Sequence, residues 1–391
     1  MRFSRIISLF ILCMLLFTII TGCSNAIVYD PNQYDFEHDD QYYFTKLSAS
    51  YPSVAKSADG YYFFSGESNS YLYYMDKKTM NPVILCNKPE CLHAEESDSQ
   101  KRERCNAFFY QSNNLIYYNQ NLYAIGFDPE SLTGGLVLTR ISLDGTSQKV
   151  VAKFKDAVQR LIIHRGFIYY AVDDLTSDSN DTVTQNTCEI YRISMDKTEA
   201  IPEPVFNGKG FGGIIGYLAG YKGNIYFLFL QYTDSTLMKL SSSLYKYSIT
   251  GGKPEMIKEN VSSFAFCNDQ LVCSDINRNV EITSLDGTNA GTIQAVAGYP
   301  MGADDYIYVY QADSSGDKLV IYDWKGHVIS DYGKIAAKCM PYGGDELYFF
   351  MEDEHNQSVS GNSHIIYMID KRKLPESTEP KKIFEYVPKI Q

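Results

Sequence analysis

The chain of 391 residues contains a single Trp and only six His, and its 35 Lys and Arg are outnumbered by 47 Asp and Glu. The formal net charge of -12 speaks against nucleic acid, because binding to phosphates draws its energy from Lys and Arg. There is no Gly-x-Ser-x-Gly elbow, no His-Glu-x-x-His pair and no phosphate-binding glycine loop, which removes the hydrolase, metalloprotease and nucleotide-binding readings that a motif would carry. His38, His93, His164, His327, His355 and His364 are scattered, so no histidine pair announces a catalytic base. No long stretch carries the 3.6-residue apolar period of an amphipathic helix, which excludes bundles and doubly wound α/β folds. What the chain has instead is 33 Tyr and 21 Phe, residues that suit strands.

At the N-terminus, Arg2 and Arg5 precede an apolar run from Ile6 to Ile20. That run is short for a spanning helix, which needs about 20 apolar residues, and has the form of a secretory signal. Its end, Ile20-Thr21-Gly22-Cys23, resembles a bacterial lipobox. By that resemblance residues 1–22 are a signal peptide, and Cys23 receives a diacylglyceryl group and becomes the new N-terminus. Two or more acyl chains, at ~0.8 kcal/mol per buried methylene, give stable anchoring. The expected address is the extracytoplasmic face of a bacterial cell membrane. Residues 23–48 are polar and acidic, with Asp35, Glu37, Asp39 and Asp40, and read as a tether that anionic headgroups would repel.

From residue 49 to 391 a hairpin pattern recurs: an apolar-aromatic strand, a polar loop, then an alternating strand running into Asp-Gly or Gly-Gly. Gly60–Phe64 with Tyr71–Asp76 is the first copy, and Asn121–Ile125 with Leu138–Gly145 the second. The others begin at Gly166, Gly223, Gln270, Tyr306 and Glu346. Starts fall roughly 36 to 60 residues apart, the range of propeller blades. Apolar runs between hairpins, such as Lys149–Phe154 and Arg160–His164, supply the outer strand of one blade and the inner strand of the next. The expectation is an all-β protein, a β-propeller of four-stranded antiparallel blades. Seven hairpins imply seven blades, with six or eight left open by the first and last repeats. A monomeric domain is expected.

Thr139-Arg140-Ile141-Ser142-Leu143-Asp144-Gly145, after Leu122-Tyr123 and before Val150-Val151, is similar to the tyrosine-tryptophan-threonine-aspartate propellers of low-density-lipoprotein-receptor-type proteins, although the four-residue signature itself is absent. Closer is the resemblance to bacterial lipoproteins that carry such a propeller, often with a segment like Leu85-Cys86-Asn87-Lys88-Pro89-Glu90-Cys91-Leu92-His93 between the first blades. It implies fold and location and no activity. TolB-like propellers are more distant and imply protein-partner binding by analogy alone.

Cys86, Cys91, His93 and Cys105 lie in the connection between the first two blades. An extracytoplasmic address favours a disulfide, Cys91–Cys105 or Cys86–Cys105, which for a loop of about 15 residues would contribute roughly 3 kcal/mol. A three-Cys, one-His zinc site is the alternative, with ligand types that fit and a spacing wider than the usual two to four residues. Free thiols in a reducing habitat are the third. Cys188, Cys267, Cys273 and Cys339 fall in or beside strands and read as small buried hydrophobes. A two-residue turn at Asn268-Asp269 would set Cys267 opposite Gln270 and Cys273 opposite Phe264, so those two cysteines should not bridge. Ser142–Thr146 and Ser284–Thr288 read as turns rather than as sialidase Asp-boxes. Asp178-Ser179-Asn180-Asp181 reads as a solvated insertion rather than a calcium loop.

With no cofactor indicated, the expected role is a non-catalytic binding or scaffold module for an unknown protein or glycan partner. The polar insertions Asn87–Arg104, Asp173–Thr187, Thr233–Ser243 and Asp353–Ser363 are the expected recognition surface. A glycan-active lyase or hydrolase, its carboxylates gathered only in three dimensions, and a ligand sensor are the alternatives.

Overall fold

In a computed structural model the chain is described over residues 28–41 and 54–386, apart from 66–69, 94–97, 110–113, 129–134, 155–157, 175–184, 197–200, 235–238, 268, 287, 314–315, 334–338, 354–363 and 377–378. The lipobox, Asp178–Asp181 and His355 fall outside the described residues. Among the described residues no helix is long and apolar enough to cross a membrane.

All seven hairpins read from the sequence form, and each becomes the two middle strands of an antiparallel meander. The first meander is β1 (Val54–Lys56), β2 (Gly60–Phe64), β3 (Ser70–Asp76) and β4 (Pro82–Ile84), with the short β5 (Phe108–Phe109) added beside β3. The second is β6 (Asn114–Tyr118), β7 (Asn121–Phe127), β8 (Leu136–Ser142) and β9 (Gln148–Phe154). A seven-stranded sheet follows: β10 (Val158–His164), β11 (Phe167–Asp174), β12 (Gln185–Ser194), β13 (Glu203–Tyr221), β14 (Asn224–Tyr232), β15 (Leu240–Ser248) and β16 (Glu255–Glu259). Its central strand β13, 19 residues long, is at once the outer strand of one meander and the inner strand of the next. Register shifts and Gly212, at φ 58°, let it turn that corner. The last three sheets are β17 to β20 (Val261–Cys267, Gln270–Asp275, Asn279–Ser284, Asn289–Ala297), β21 to β24 (Tyr299–Ala303, Ile307–Asp313, Gly316–Tyr322, Val328–Asp331) and β25 to β28 (Cys339–Gly344, Tyr348–Asp353, His364–Asp370, Lys381–Tyr386).

Burial falls from the second strand outward, which is why the first half of each sequence repeat is a continuous apolar run and the second alternates. Every residue of β2 is buried, whereas β9 is exposed along most of its length. Strands packed on both faces lose their alternation; strands covered on one face keep it. The core is accordingly split into seven clusters, each wedged between neighbouring meanders. Phe64 and Leu72 meet Leu115 and Leu122 in one; Tyr169 and Ile190 meet Phe227 and Tyr247 in another. The remaining clusters continue around the molecule, and one brings Tyr61 and Phe63 of the first meander against Phe350 and Phe384 of the last. The molecule is a β-propeller. Among the described residues β1 pairs only with β2 and β28 only with β27, so side-chain packing rather than a shared sheet joins first to last.

Connections from first to second strand, and from third to fourth, emerge at one end of an up-and-down meander. The Asp-Gly and Gly-Gly turns lie at that end: Asp144 accepts from the Ser142 and Thr146 hydroxyls at 2.6 and 2.8 Å, an Asx turn as expected, and Asp286 accepts from Ser284 in the equivalent place. The second strands that end at Asp174, Tyr232 and Asp353 and the third strands that begin at Gln185, Leu240 and His364 meet the opposite end.

The stretch read as a tether is not free in its described part. Residues 28–41 lie across the first-to-second-strand turns of the second, third and fourth meanders. Glu37 takes the Tyr117 hydroxyl at 2.9 Å and the Gln120 N–H at 3.1 Å, and its carbonyl takes the Asn119 N–H at 2.7 Å. The Gly223 N–H donates to the Pro31 carbonyl at 3.0 Å, and a Cβ at Gly223 would stand 2.8 Å from the proline ring. Arg165 and Asp39, both with fully buried side chains, form the central ion pair. The remaining Arg165 N–H groups reach the Asp30 and Gln33 carbonyls at 2.8 and 2.5 Å.

Beside them His164 is fully buried, its Nδ1 accepting the Asp40 N–H at 3.2 Å and its Nε2 2.6 Å from the Lys222 carbonyl. Those partners require a neutral ring with its proton on Nε2. Burial pushes its pKa down to about 4, and the neighbouring Asp39 carboxylate only partly opposes this. The unfolded histidine titrates near 6.5, so the neutral ring stabilises the fold fully above that pH, and the contribution of roughly 3 kcal/mol is lost as pH falls from about 6.5 to 4. Denaturant midpoints measured across this range should drop for the native chain and flatten in His164→Gln, which keeps a donor for Lys222. Parallel pH curves for the two would show that His164 does not control this segment.

Candidate metal centre

The outermost strand of the first meander is interrupted. β4 ends at Ile84, the chain leaves, and it returns as β5 at Phe108 on the same edge of β3. Both stems are held by one residue: Leu72 accepts the Leu85 N–H and donates to the Ala107 carbonyl, each at 2.8 Å. Within the excursion a short helix α1 (Ser99–Glu103) starts on Asp98, whose carboxylate caps the N–H groups of Gln100 and Lys101. Lys88 Nζ crosses to the Arg104 carbonyl at 2.5 Å, and the Asn106 amide bonds Asn87 at 3.2 Å. The base also rests on the second meander, through Gln148 Nε2 and the Asn106 carbonyl at 2.6 Å.

This geometry brings together all four residues picked out from the cysteine spacing. Cys86 lies one residue beyond the departing stem and Cys105 just before the returning one, with Cys91 and His93 between. Their ligand atoms all lie within 4.8 Å of one another. Cys105 Sγ and His93 Nδ1 are 3.7 Å apart. Cys86, Cys91 and Cys105 carry free thiols in this structure.

Burial acts to raise the Cys86 thiol pKa, but N–H groups of Lys88 and Asn106, with the Cys105 and Cys91 thiols, outweigh it and hold it below the ordinary thiol value. Burial pushes Cys105 up to about 12. His93 holds a left-handed backbone, φ 52°. The Tyr71 hydroxyl fixes that turn by donating to the His93 carbonyl at 3.0 Å.

Among the described residues these four are the one group of three or more His, Cys, Asp or Glu with convergent ligand atoms. Cys188 and Cys273 are buried and free, as expected of core cysteines. The register places Cys267 opposite Gln270 and Cys273 opposite Phe264, as the two-residue turn required. Sequence reasoning missed buried ionisable pairs besides Asp39 and Arg165: Lys371 with Asp304, and Glu352 with His364, 2.8 Å apart on the adjoining strands β26 and β27. The latter two stand 12 residues apart with no motif to link them. An open pocket of about 420 Å³, lined by Pro31, Tyr221, Lys222, Lys246, Asp269 and Asp286, lies at the turn end beside the docked N-terminal segment.

No protein-family model matches the chain, and no curated protein does. Solved structures do. The β-propeller domain of the Trilobed protease from Pyrococcus furiosus superposes with a TM-score of 0.52 at 13% identity, over 88% of this chain and 99% of that one. The likeness is one of fold. Pyrococcus horikoshii acylaminoacyl peptidase gives 0.54 at 12% identity over 88% of this chain, and Oligopeptidase B from Leishmania major 0.51 at 9% over 90%. This chain spans about half the length of those two peptidases, 52% and 50%.

Proposed function

We propose that the chain is a lipid-anchored, extracytoplasmic, seven-bladed propeller that binds a protein or envelope glycan through loops facing away from the membrane. The observation that carries this is the docking of residues 28–41. Val28 lies five positions after Cys23, a reach of at most ~18 Å. An acyl chain on Cys23 therefore holds the turns around Tyr118, Arg165 and Gly223 toward the bilayer. The opposite end of the meanders, where second strands give way to third strands, then faces outward, where a partner has access. Ring closure through the cluster of Tyr61, Phe63 and Phe350 supports the count of seven. The peptidase activities of the fold neighbours remain properties of those proteins. An enzyme on the propeller scaffold is the competing reading, with Glu352 and His364 at the outward end as a buried acid and base.

The reading has a direct test in the full chain reconstituted into vesicles. A Cys23→Ala variant should lose the acyl mass and leave the membrane fraction. A fluorophore at Gln120 should be quenched by bilayer-confined nitroxides severalfold more than one at Lys239, on the opposite end. Equal quenching at both sites would remove the orientation, and unchanged partition of Cys23→Ala would remove the anchor.

A further inference from the structure

We propose that Cys86, Cys91, His93 and Cys105 bind one zinc ion that clips the 85–107 excursion shut against the first and second meanders. The inference is independent of the anchor. A tetrahedral centre with Zn–S near 2.3 Å and Zn–N near 2.0 Å separates its ligand atoms by about 3.5–3.8 Å. The Cys105–His93 separation of 3.7 Å already meets that spacing, and every other pair lies within 4.8 Å. Displacements of an ångström or less complete the sphere.

Two further features are those of a metal site rather than of a thiol pair. Three sulfurs and one imidazole converge, whereas a disulfide would employ two sulfurs and leave a third thiol and a histidine aimed at it. Backbone N–H groups of Lys88 and Asn106 point at Cys86 Sγ, and that of Ala107 at Cys105 Sγ. Such donors stabilise ligating sulfur and are the outer sphere that orients metal ligands.

The ligand set selects the ion. Thiolates with one imidazole suit Zn²⁺, and hard, oxygen-seeking Mg²⁺ or Ca²⁺ are poorly served. Binding exchanges up to three thiol protons for the ion: Zn²⁺ with three Cys–SH and a neutral His gives a centre of net charge -1 and releases three protons. Lys88, Lys101, Arg102 and Arg104, all within the excursion, offset that charge. Four protein ligands leave no open position for water, so the role is structural. The ion joins the two stems and holds the face that Asn106 presents to Gln148.

The probes are Zn²⁺ and Co²⁺, with the full chain purified in detergent under anaerobic, reducing conditions. We expect one equivalent of zinc by elemental analysis and, on Co²⁺ substitution, tetrahedral d–d bands with thiolate charge transfer. His93→Ala and Cys91→Ser should each weaken binding at least 100-fold, since loss of an outer-sphere partner alone costs 10–100-fold. His93→Cys should retain the ion, and Cys188→Ser and Cys273→Ser should leave binding unchanged. Should the ligand variants fail to fold, the native chain decides alone: chelator should accelerate tryptic cleavage at Lys101, Arg102 and Arg104. Sub-stoichiometric zinc in the reduced protein, affinity unchanged in His93→Ala, or chelator-insensitive proteolysis would each overturn the site. A Cys86–Cys105 or Cys91–Cys105 bridge in metal-free protein taken directly from cells would overturn it in favour of the disulfide.

Discussion

Replacing Arg165 with alanine should detach residues 28–41 from the propeller. The guanidinium lies with no exposed side-chain surface against an Asp39 carboxylate that is equally buried. It also satisfies the carbonyls of Asp30 and Gln33. Removing one member of a buried ion pair typically costs 3–5 kcal/mol, because the other charge is left desolvated and alone. The protein has an escape that a central core position lacks. Once the loss exceeds the free energy of docking, the segment lifts off and Asp39 regains water. The measured loss of global stability should therefore stop short of the full pair penalty, while local protection collapses. Three amides report on this directly: Asn119, Arg165 and Gly223 donate to the carbonyls of Glu37, His38 and Pro31. Their hydrogen exchange should accelerate by two to three orders of magnitude in Arg165→Ala, with strand amides such as those of β7 and β11 little changed. Arg165→Lys should fall between, since an ammonium cannot span Asp39 and two carbonyls as the planar fork does. Asp39→Ala combined with Arg165→Ala should cost less than the sum of the two, because the isolated charge is gone. Unaltered exchange at the three amides in Arg165→Ala would mean that the apolar contacts, Tyr34 on Tyr221 and Phe36 on Tyr117, hold the segment without the ion pair.

How much of this was legible beforehand follows from the range of each interaction. The seven hairpins were readable because strand pattern and turn chemistry are local: Tyr61–Phe64 announces a strand packed on both faces, and Asp144-Gly145 a turn that needs φ near 70°. The register at Cys267 and Cys273 followed from turn length alone. The four residues of the candidate centre were found by type and spacing, yet their convergence was not, since it depends on two distant stems meeting at Leu72. The N-terminal segment was misjudged for a different reason. A polar, acidic stretch reads as solvated when its partner is a single arginine 126 positions away. Nothing in Asp39 or its neighbours signals that Arg165 will be buried at φ 44° to receive it. The double use of β13 was hidden as well, because Lys209–Gly213 reads as a glycine-rich break rather than as the bend of one continuous strand.

Asp345→Ala should open the ring where its two ends meet. Because among the described residues no strand is shared between the first and last meanders, that seam rests on the cluster of Tyr61, Phe63, Tyr348 and Phe350, on the Tyr342 hydroxyl donating to the Phe64 carbonyl, and on a polar knot around Asp345. The Asp345 carboxylate, 2% exposed, takes the Tyr61 hydroxyl at 2.6 Å and Lys77 at 3.1 Å, both from the first meander. Its other oxygen caps its own turn through the N–H groups of Leu347 and Tyr348 at 2.9 and 3.1 Å. Alanine would leave a buried phenol unpaired, strip Lys77 of its partner and release the turn, a combined cost of about 3–5 kcal/mol. Asparagine keeps the shape and the Tyr61 acceptor and should cost less than half as much. Protonation mimics the asparagine. Burial acts to raise the Asp345 pKa, but the Tyr61 hydrogen bond, the turn N–H groups, Lys77 and Lys56 together bring it below the ordinary carboxylate value. A carboxyl depressed on folding contributes stability that is complete above the unfolded pKa, about 3.9, and is lost as pH falls through the folded one. The native protein should therefore show an acid limb below pH 4 that Asp345→Asn lacks, separate from the His164 transition between 6.5 and 4. The site of opening distinguishes a seam from a uniform loss. Exchange protection in Asp345→Ala should fall first in β1, β2 and β25 to β28, with β11 and β14 protected longest. Simultaneous loss in all sheets would mean that the seven clusters unfold as one unit and that the seam is no weaker than any other interface of the ring.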